Sequence, residues 1–377
     1  MNIKLENLKT YKESLEEEID TIKYAHSIIY SNKNSLEVSI IKELNLINQN
    51  SSISLFGIFD GHNGSEVSKY LSQHFIQFLT ENINFINGNY KKSLEETFIN
   101  LDESFRSLEA QLELSKYSNK KEQNKNKDNF NDFLELFNPR NLEGVNIAEF
   151  CGSCGIVVLI TEKKVFIANA GNSKCIPVNI KNEIIKDKIN IEHTLDNENE
   201  IKRLSRIFGY EISDTSNNKD KLKNDFYLNI TRGFGNLQYK DNKLINLEDQ
   251  CISVKPDIIE ISIEELNYLI IGNNGCFGGN NDKNLLSLEK YFLENFNKNN
   301  EKKINTVIEE FFDEKIKEIE NIQEKDSDIN NLASIIIEFK HENNINSINF
   351  EESKEEIKNK IYNSNEKNKS EDEDENL

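Results

Sequence analysis

Within Phe56–Gly64 an apolar run ends on Asp60, Gly61 and His62, so a strand delivers a carboxylate, a glycine and a histidine into a turn that glycine permits. An acid, a backbone carbonyl and a proton donor at one point suit a hard metal ion and a proton-transfer step. Downstream, the strand ends that would supply partner acids carry amides instead, Asn274 before Gly275 and Asn330 before Asn331. An amide offers an oxygen but no charge, and its other end is a donor. Each motif also has a plainer reading. Asn-Gly and Asp-Gly are turn dipeptides, and a single histidine is more often an ordinary hydrogen-bonded side chain.

The elements that position these residues are read from periodicity. Residues 1–24 carry a charged, roughly helical pattern and are expected to form an extension packed on the main domain. Strands are expected at Leu36–Ile41 and Ile53–Phe59, then a helix on Val67, Leu71, Phe75, Phe78 and Leu79, capped by Ser65 or Asn63. A second helix spans Leu94–Leu112. Residues 115–146 lose periodicity and read as a low-complexity insert. Gly155–Ile160 and Val165–Ala170 form a hairpin, 196–206 a helix, and 211–226 a polar flap. Further strands are expected at Leu228–Thr231, Ile258–Ile261, Tyr268–Ile271 and Leu332–Phe339, with a helix at Thr306–Ile319. Residues 341–377 form an acidic tail beyond a domain of residues 25–340. Strands cluster as hairpins with helices paired between them, which favours an α+β sandwich over a doubly wound sheet.

Only 36% of the 377 residues are hydrophobic and 30% are charged, with a formal net charge of −20. That balance argues against nucleic acid or an anionic membrane as partner. The chain shows no signal peptide, membrane-spanning run or N-myristoylation pattern, and its five cysteines are an odd number. The expectation is a protein of the cytoplasm or nucleus with free thiols. Cys151 and Cys154 form a C-x-x-C, but no second ligand pair for zinc occurs and the motif leads into a strand. Two small buried thiols at a strand entry are preferred over a cysteine-based redox pair.

At Asp60-Gly61-His62 the sequence resembles the metal-dependent Ser/Thr protein phosphatases of type 2C, the PPM family. Their FDGHGG block stands as Phe59–Gly64 with Asn63 for a glycine, and their GSTA strand start as Gly152–Gly155. ANxGDSR matches Ala168–Lys174, and DH…E…RI…GG resembles Glu192-His193, Glu200, Arg203 and Phe208-Gly209. TRSFGD…K matches Thr231–Asn236 and Lys240, FLILACDGLWD matches Tyr268–Gly278, and DNxT matches Asn330–Ala333. A weaker RxxMED match covers Lys33–Val38. The blocks run in the family's order over about residues 26–340.

The resemblance implies a sandwich of two antiparallel sheets flanked by helix pairs, with two Mg or Mn ions at one edge. Carried over by position, Asp60, the Gly61 carbonyl and Glu37 are retained as metal ligands and His62 as the acid for the leaving oxygen. Lys33 replaces the phosphate-gripping arginine, keeping its charge without the bidentate fork. Val38, Asn274 and Asn330 replace metal acids, Asn172 and Asn236 replace two further aspartates, and Gly278 a third. Two divalent ions about 4 Å apart repel by roughly 17 kcal/mol at an effective dielectric near 20. Asp60 and Glu37 can hold one ion, hardly two.

The resulting expectation is a pseudophosphatase, not an ordinary enzyme, holding no metal or one weakly bound Mg or Mn. It would bind a protein partner, a phosphoprotein or a kinase, through the fold's edge, the insert or the flap. A single-metal phosphatase is the alternative, and the cysteine-based redox protein a distant second.

Overall fold

The computed structural model describes residues 10–19, 21–31, 36–46, 53–118, 146–211, 219–222, 229–277, 286–296, 302–321 and 331–341. Most of the insert (119–145), parts of the flap (212–218 and 223–228) and the tail from 342 lie outside these, as do Lys33, Gly278 and Asn330.

Two antiparallel sheets face one another. The first is ordered β1 (Thr10–Glu18), β2 (Ile22–Ser31), β11 (Leu332–Phe339), β10 (Leu266–Gly272) and β7 (Lys174–Asn179). The second is ordered β3 (Val38–Glu43), β4 (Ser54–His62), β5 (Gly152–Ile160), β6 (Lys164–Ala170) and β9 (Asp257–Ser262), with the short β8 (Phe234–Gly235) paired to the start of β5. Helices α1 (Glu66–Thr80), α2 (Ile83–Ile86), α3 (Tyr90–Ser104) and α4 (Leu108–Ser118) follow β4. Helix α5 (Glu198–Phe208) follows β7, and α6 (Leu288–Phe296) and α7 (Ile304–Asn321) precede β11.

The period-2 alternation of the strands builds the layers. Phe56 and Ile58 of β4, Ile156 and Val158 of β5, Leu269 and Ile271 of β10, and Ala333 and Ile335 of β11 share the core between the sheets. Leu55 and Phe59 turn to the opposite face and pack with Val67, Leu71 and Phe75 of α1 and Leu94 and Phe98 of α3. On the far side Tyr268, Ile270 and Ile336 meet Phe292 of α6 and Val307, Ile308 and Phe311 of α7. The α+β sandwich expected from the sequence is the observed architecture.

Three local expectations need correction. Residues 10–18, expected to be helical, form β1, an edge strand registered residue for residue against Lys23–Ser31 of the hairpin (Thr10 opposite Ser31, Glu18 opposite Lys23). Its Leu-Glu-Glu-Glu run favours helix locally, and ladder pairing with β2 overrides that preference. The expected single helix over 94–112 is α3 and α4. The chain breaks at Phe105–Ser107, where Asn146 Nδ2 donates to the Phe105 carbonyl and Ser107 Oγ caps the Ala110 N–H. Of the strand expected at Leu228–Thr231, Leu228 lies outside the described residues and residues 229–231 form no strand. Ile230 makes one isolated bridge to Thr194, and Arg232 makes another to Ser253.

That irregular stretch is fixed by charge. Lys240 and Asp102 are both buried, with Lys240 Nζ 2.8 and 2.9 Å from the two carboxylate oxygens and 2.7 Å from the Gly233 carbonyl. The Gly235 N–H also donates to Asp102. The pair therefore ties the segment after residue 229 to α3. Removing one partner strands the other charge in the core. Asp102→Ala is expected to lose about 3–5 kcal/mol in urea unfolding. Asp102→Ala/Lys240→Met should recover part of that loss, and a double variant as unstable as the single would contradict the assignment.

Candidate active site

The alternation that fills the sandwich also builds the site. In β4, Phe56 and Ile58 point between the sheets, so Asp60 points the same way at the strand's end, where apolar packing stops. By the same count Asn273 continues Leu269 and Ile271 past β10, and Asn331 precedes Ala333 and Ile335 of β11. Across the ladder Asp60 faces Val38 on one side and Cys154 on the other.

Asp60 is half-buried, and burial pushes its carboxyl up to about 7, with the Glu37 charge adding to the rise and a hydrogen bond from Asn273 opposing it. Asn273 is buried and committed at both ends. Its Nδ2 donates to Asp60 Oδ2 (3.3 Å) and to the Asn331 carbonyl (2.7 Å), and its Oδ1 accepts from Ala333 N–H (3.2 Å). Glu37 is placed by its backbone. Its carbonyl accepts from Gly61 N–H at 3.0 Å and from Ser68 Oγ at 2.5 Å. A Cβ on Gly61 would lie 2.6 Å from that carbonyl, so the close approach requires glycine here.

His62 sits one step on. Its Nε2 lies 2.6 Å from Asn236 Oδ1, and Asn236 Nδ2 donates to the Phe150 carbonyl. An amide oxygen only accepts, so Nε2 carries a proton and donates it. Burial lowers the basicity of His62, which favours the neutral ring. Asn236 adopts the left-handed conformation (φ +50°), as does Asn63 (φ +56°), whose Nδ2 also donates to Phe150 O (3.1 Å). Asparagine tolerates that region better than other side chains, which explains how Asn63 stands in a glycine-rich block.

The sequence-derived residues thus divide. The structure brings together Asp60, Gly61, Glu37 and His62, with Asn236 on the histidine. Asn172 Oδ1 accepts a weak bond from Cys154 Sγ (3.2 Å), the ladder neighbour of Asp60. Val38 is buried in the inter-sheet core, and Asn274 is exposed. The residue missed by sequence reasoning is Asn273, the amide that touches Asp60. Counting strand parity from Ile271 would have found it.

The cysteine pair behaves as core. Cys151 and Cys154 are buried and unbridged, and burial together with the nearby Asp60 pushes the Cys154 thiol up to about 12. Burial works against a reactive thiolate at Cys154, which favours the reading of this thiol as core.

Oxygen donors of Asp60, Glu37 and the Gly61 backbone are of the kind Mg and Mn take. Among the described residues, however, no group of three His, Cys, Asp or Glu side chains is arranged to hold a metal. Among the described residues, two carboxylates and one backbone carbonyl are too few donors for a pair of divalent ions.

A second polar centre lies on α5. Glu200 is buried and accepts from Arg203, Arg232 and Thr231, which together hold its carboxyl down at about 2 against the cost of burial. Arg232 also reaches Asp257, which bonds His193. A cleft of about 330 Å³ opens over these residues.

Known proteins point to one family. A family model described as Protein phosphatase 2C matches residues 23–318. The chain belongs to the protein phosphatase 2C family. It is 29% identical over 264 residues to a Paramecium tetraurelia protein named "Probable protein phosphatase 2C 2", covering 70% of this chain and 75% of that one. "Probable protein phosphatase 2C 21" of Arabidopsis thaliana is 26% identical over 333 residues, 83% and 86% of the two chains. The crystal structure of a Toxoplasma gondii serine-threonine phosphatase 2C superposes with a TM-score of 0.54 at 14% identity, over 89% of this chain and all (100%) of that one, a likeness of fold. Among the described residues of this 2C-family chain, no helix is long and apolar enough to cross a membrane.

Because the folded state favours protonated Asp60, the unfolded chain releases that proton first as pH rises. Asp60 therefore costs stability progressively between about pH 4 and 7. Asp60→Asn is expected to raise the urea midpoint at about pH 8 and to leave it unchanged near about pH 4. Equal effects at both pH values would show that Asp60 ionises without penalty.

Proposed function

We propose that this chain keeps the 2C fold without the family's two-metal chemistry and acts as a pseudophosphatase, a regulator or scaffold that binds a protein partner such as a phosphoprotein or a kinase. The observation that carries this reading is the contact between Asn273 and Asp60. A side chain that touches Asp60 is an amide presenting hydrogens, not a carboxylate that could share a cation with it. The exposed Asn274 and the neutral, amide-bonded His62 support it. A protonated imidazole is the usual donor to a leaving oxygen, and burial works against that form here.

A single-metal phosphatase is the second reading, favoured by the electrostatic coupling of Glu37 to Asp60. One assay separates them. Purified protein is given p-nitrophenyl phosphate and a phosphothreonine peptide with Mn, beside Asp60→Ala and Asn274→Asp/Asn330→Asp. The pseudophosphatase reading expects no turnover in the parent and a gain in the double variant. Parent turnover that vanishes in Asp60→Ala would establish the single-metal enzyme instead.

A further inference from the structure

The first sheet ends on β1, which pairs with β2 along its whole length without a bulge or a proline. On its other side the strand has no backbone partner among the described residues. Alternate N–H and C=O groups of β1 therefore face outward, a template for another strand. We propose that this edge binds an extended basic segment of a partner protein, added to the sheet as a further strand. Lysine or arginine side chains of the segment would lie against Glu13 and Glu17, and an apolar one against Leu15.

Register decides which side chains such a segment meets, because residues directly opposite in an antiparallel pair share a face. Glu13 stands opposite Ile28, Leu15 opposite His26 and Glu17 opposite Tyr24. Ile28 and Tyr24 belong to the core between the sheets, so Glu13, Leu15 and Glu17 are turned toward that layer. All three are nevertheless exposed, since among the described residues the second sheet does not reach over them. Lys12, Ser14 and Glu16 take the other face, toward α7, where Lys12 pairs with Asp313 and the Asn305 N–H donates to Glu16 (3.2 Å).

The acids of the two faces differ in how they are compensated. Glu16 lies 3.2 Å from Lys23, and Glu18 lies 2.6 Å from Lys340. Glu13 and Glu17 have no lysine or arginine partner among the described residues. Glu17 accepts from the Tyr24 hydroxyl, and Glu13 is 3.8 Å from His26 Nε2. His26 is buried, and burial, with Lys42 adding to it, pushes its ring down to about 4, so near neutral pH it gives Glu13 no charge. Glu13, Leu15 and Glu17 thus present anion, apolar group and anion at the two-residue period of a strand.

In strand addition the main-chain ladder supplies affinity and the alternate side chains supply selectivity. Opposite charges across a strand pair attract, and like charges repel. A second copy of β1, added antiparallel with Leu15 opposite Leu15, would set Glu13 against Glu17 twice, which works against self-pairing in that register. A lysine-x-apolar-x-lysine segment meets each position with its complement. This assignment rests on the edge alone and holds whether or not the chain hydrolyses phosphate.

The probe is a fluorescent nonapeptide centred on Lys-Thr-Val-Thr-Lys. Its controls are the same peptide with Glu-Thr-Val-Thr-Glu at the centre, and two lysine peptides N-methylated on one or the other alternate set of backbone nitrogens. Binding to the full chain is read by polarisation and by amide exchange. The lysine peptide is expected to bind and to slow the outward amides of β1, and one of the two methylated forms to lose binding. In Glu13→Lys/Glu17→Lys the preference should reverse toward the glutamate peptide, with affinity for the lysine peptide down roughly fivefold or more. Glu13→Gln keeps the Glu17–Tyr24 bond and should show a smaller fall, so a double variant that fails to fold does not end the test. No binding of the lysine peptide at millimolar concentration, equal binding of both methylated forms, or unchanged affinity in Glu13→Gln would each overturn the proposal. Outward β1 amides already slow before peptide is added would also overturn it. They would show the edge taken by the chain's own residues if independent of protein concentration, and by a second copy if not.

Discussion

Glu200 is buried with two guanidiniums and a hydroxyl on its carboxylate, and Asp102 is buried with Lys240 against both its oxygens. In each case the desolvation of a charge is offset by an opposite charge with good hydrogen-bond geometry. These two centres attach residues 229–257, which hold little regular structure, to α5 and α3. Arg203 also donates to the carbonyls of Thr231 and Cys251, and Arg232 to that of Lys255, so side chains help to satisfy the backbone of this irregular stretch. The scaffold depends on such complete pairing.

Asp60 is the exception. It stands at the same sandwich with no cationic side chain bonded to it among the described residues, and near it lie a like charge on Glu37, an amide on Asn273 and the thiol of Cys154. A carboxyl in that setting is satisfied by a proton or by a bound cation. On the proposed reading Asp60 keeps the position of a metal ligand, while the buried ion pairs of Asp102 and Glu200 serve the framework.

Much of this was legible beforehand. The glycine-flanked Asp60-His62 turn, the alternation in Ile53–Phe59 and the ordered blocks from Gly152 to Ala333 pointed to the sandwich and its family. The misread segments were those where local preference and tertiary context disagree. Leu15–Glu18 favours a helix until β2 offers a ladder, and Leu94–Leu112 reads as one helix until Asn146 and Ser107 claim its middle. The strands β7 and the helix α6 were not anticipated, since a proline interrupts the former (Pro177) and polar residues crowd the latter.

By itself the sequence determined which charges are available. It contains Asp60 and Glu37, and amides at 172, 236, 273, 274 and 330, and no folding can turn an amide into an acid without chemistry. Tertiary structure alone decided which amide matters to Asp60. The strand register places Asn273 inward and leaves Asn274 in solvent, because side chains alternate across a sheet until the ladder ends. That parity depends on where β10 stops and how β11 pairs beside it, contacts between residues some sixty positions apart (Gly272 opposite Ser334) that no local pattern encodes.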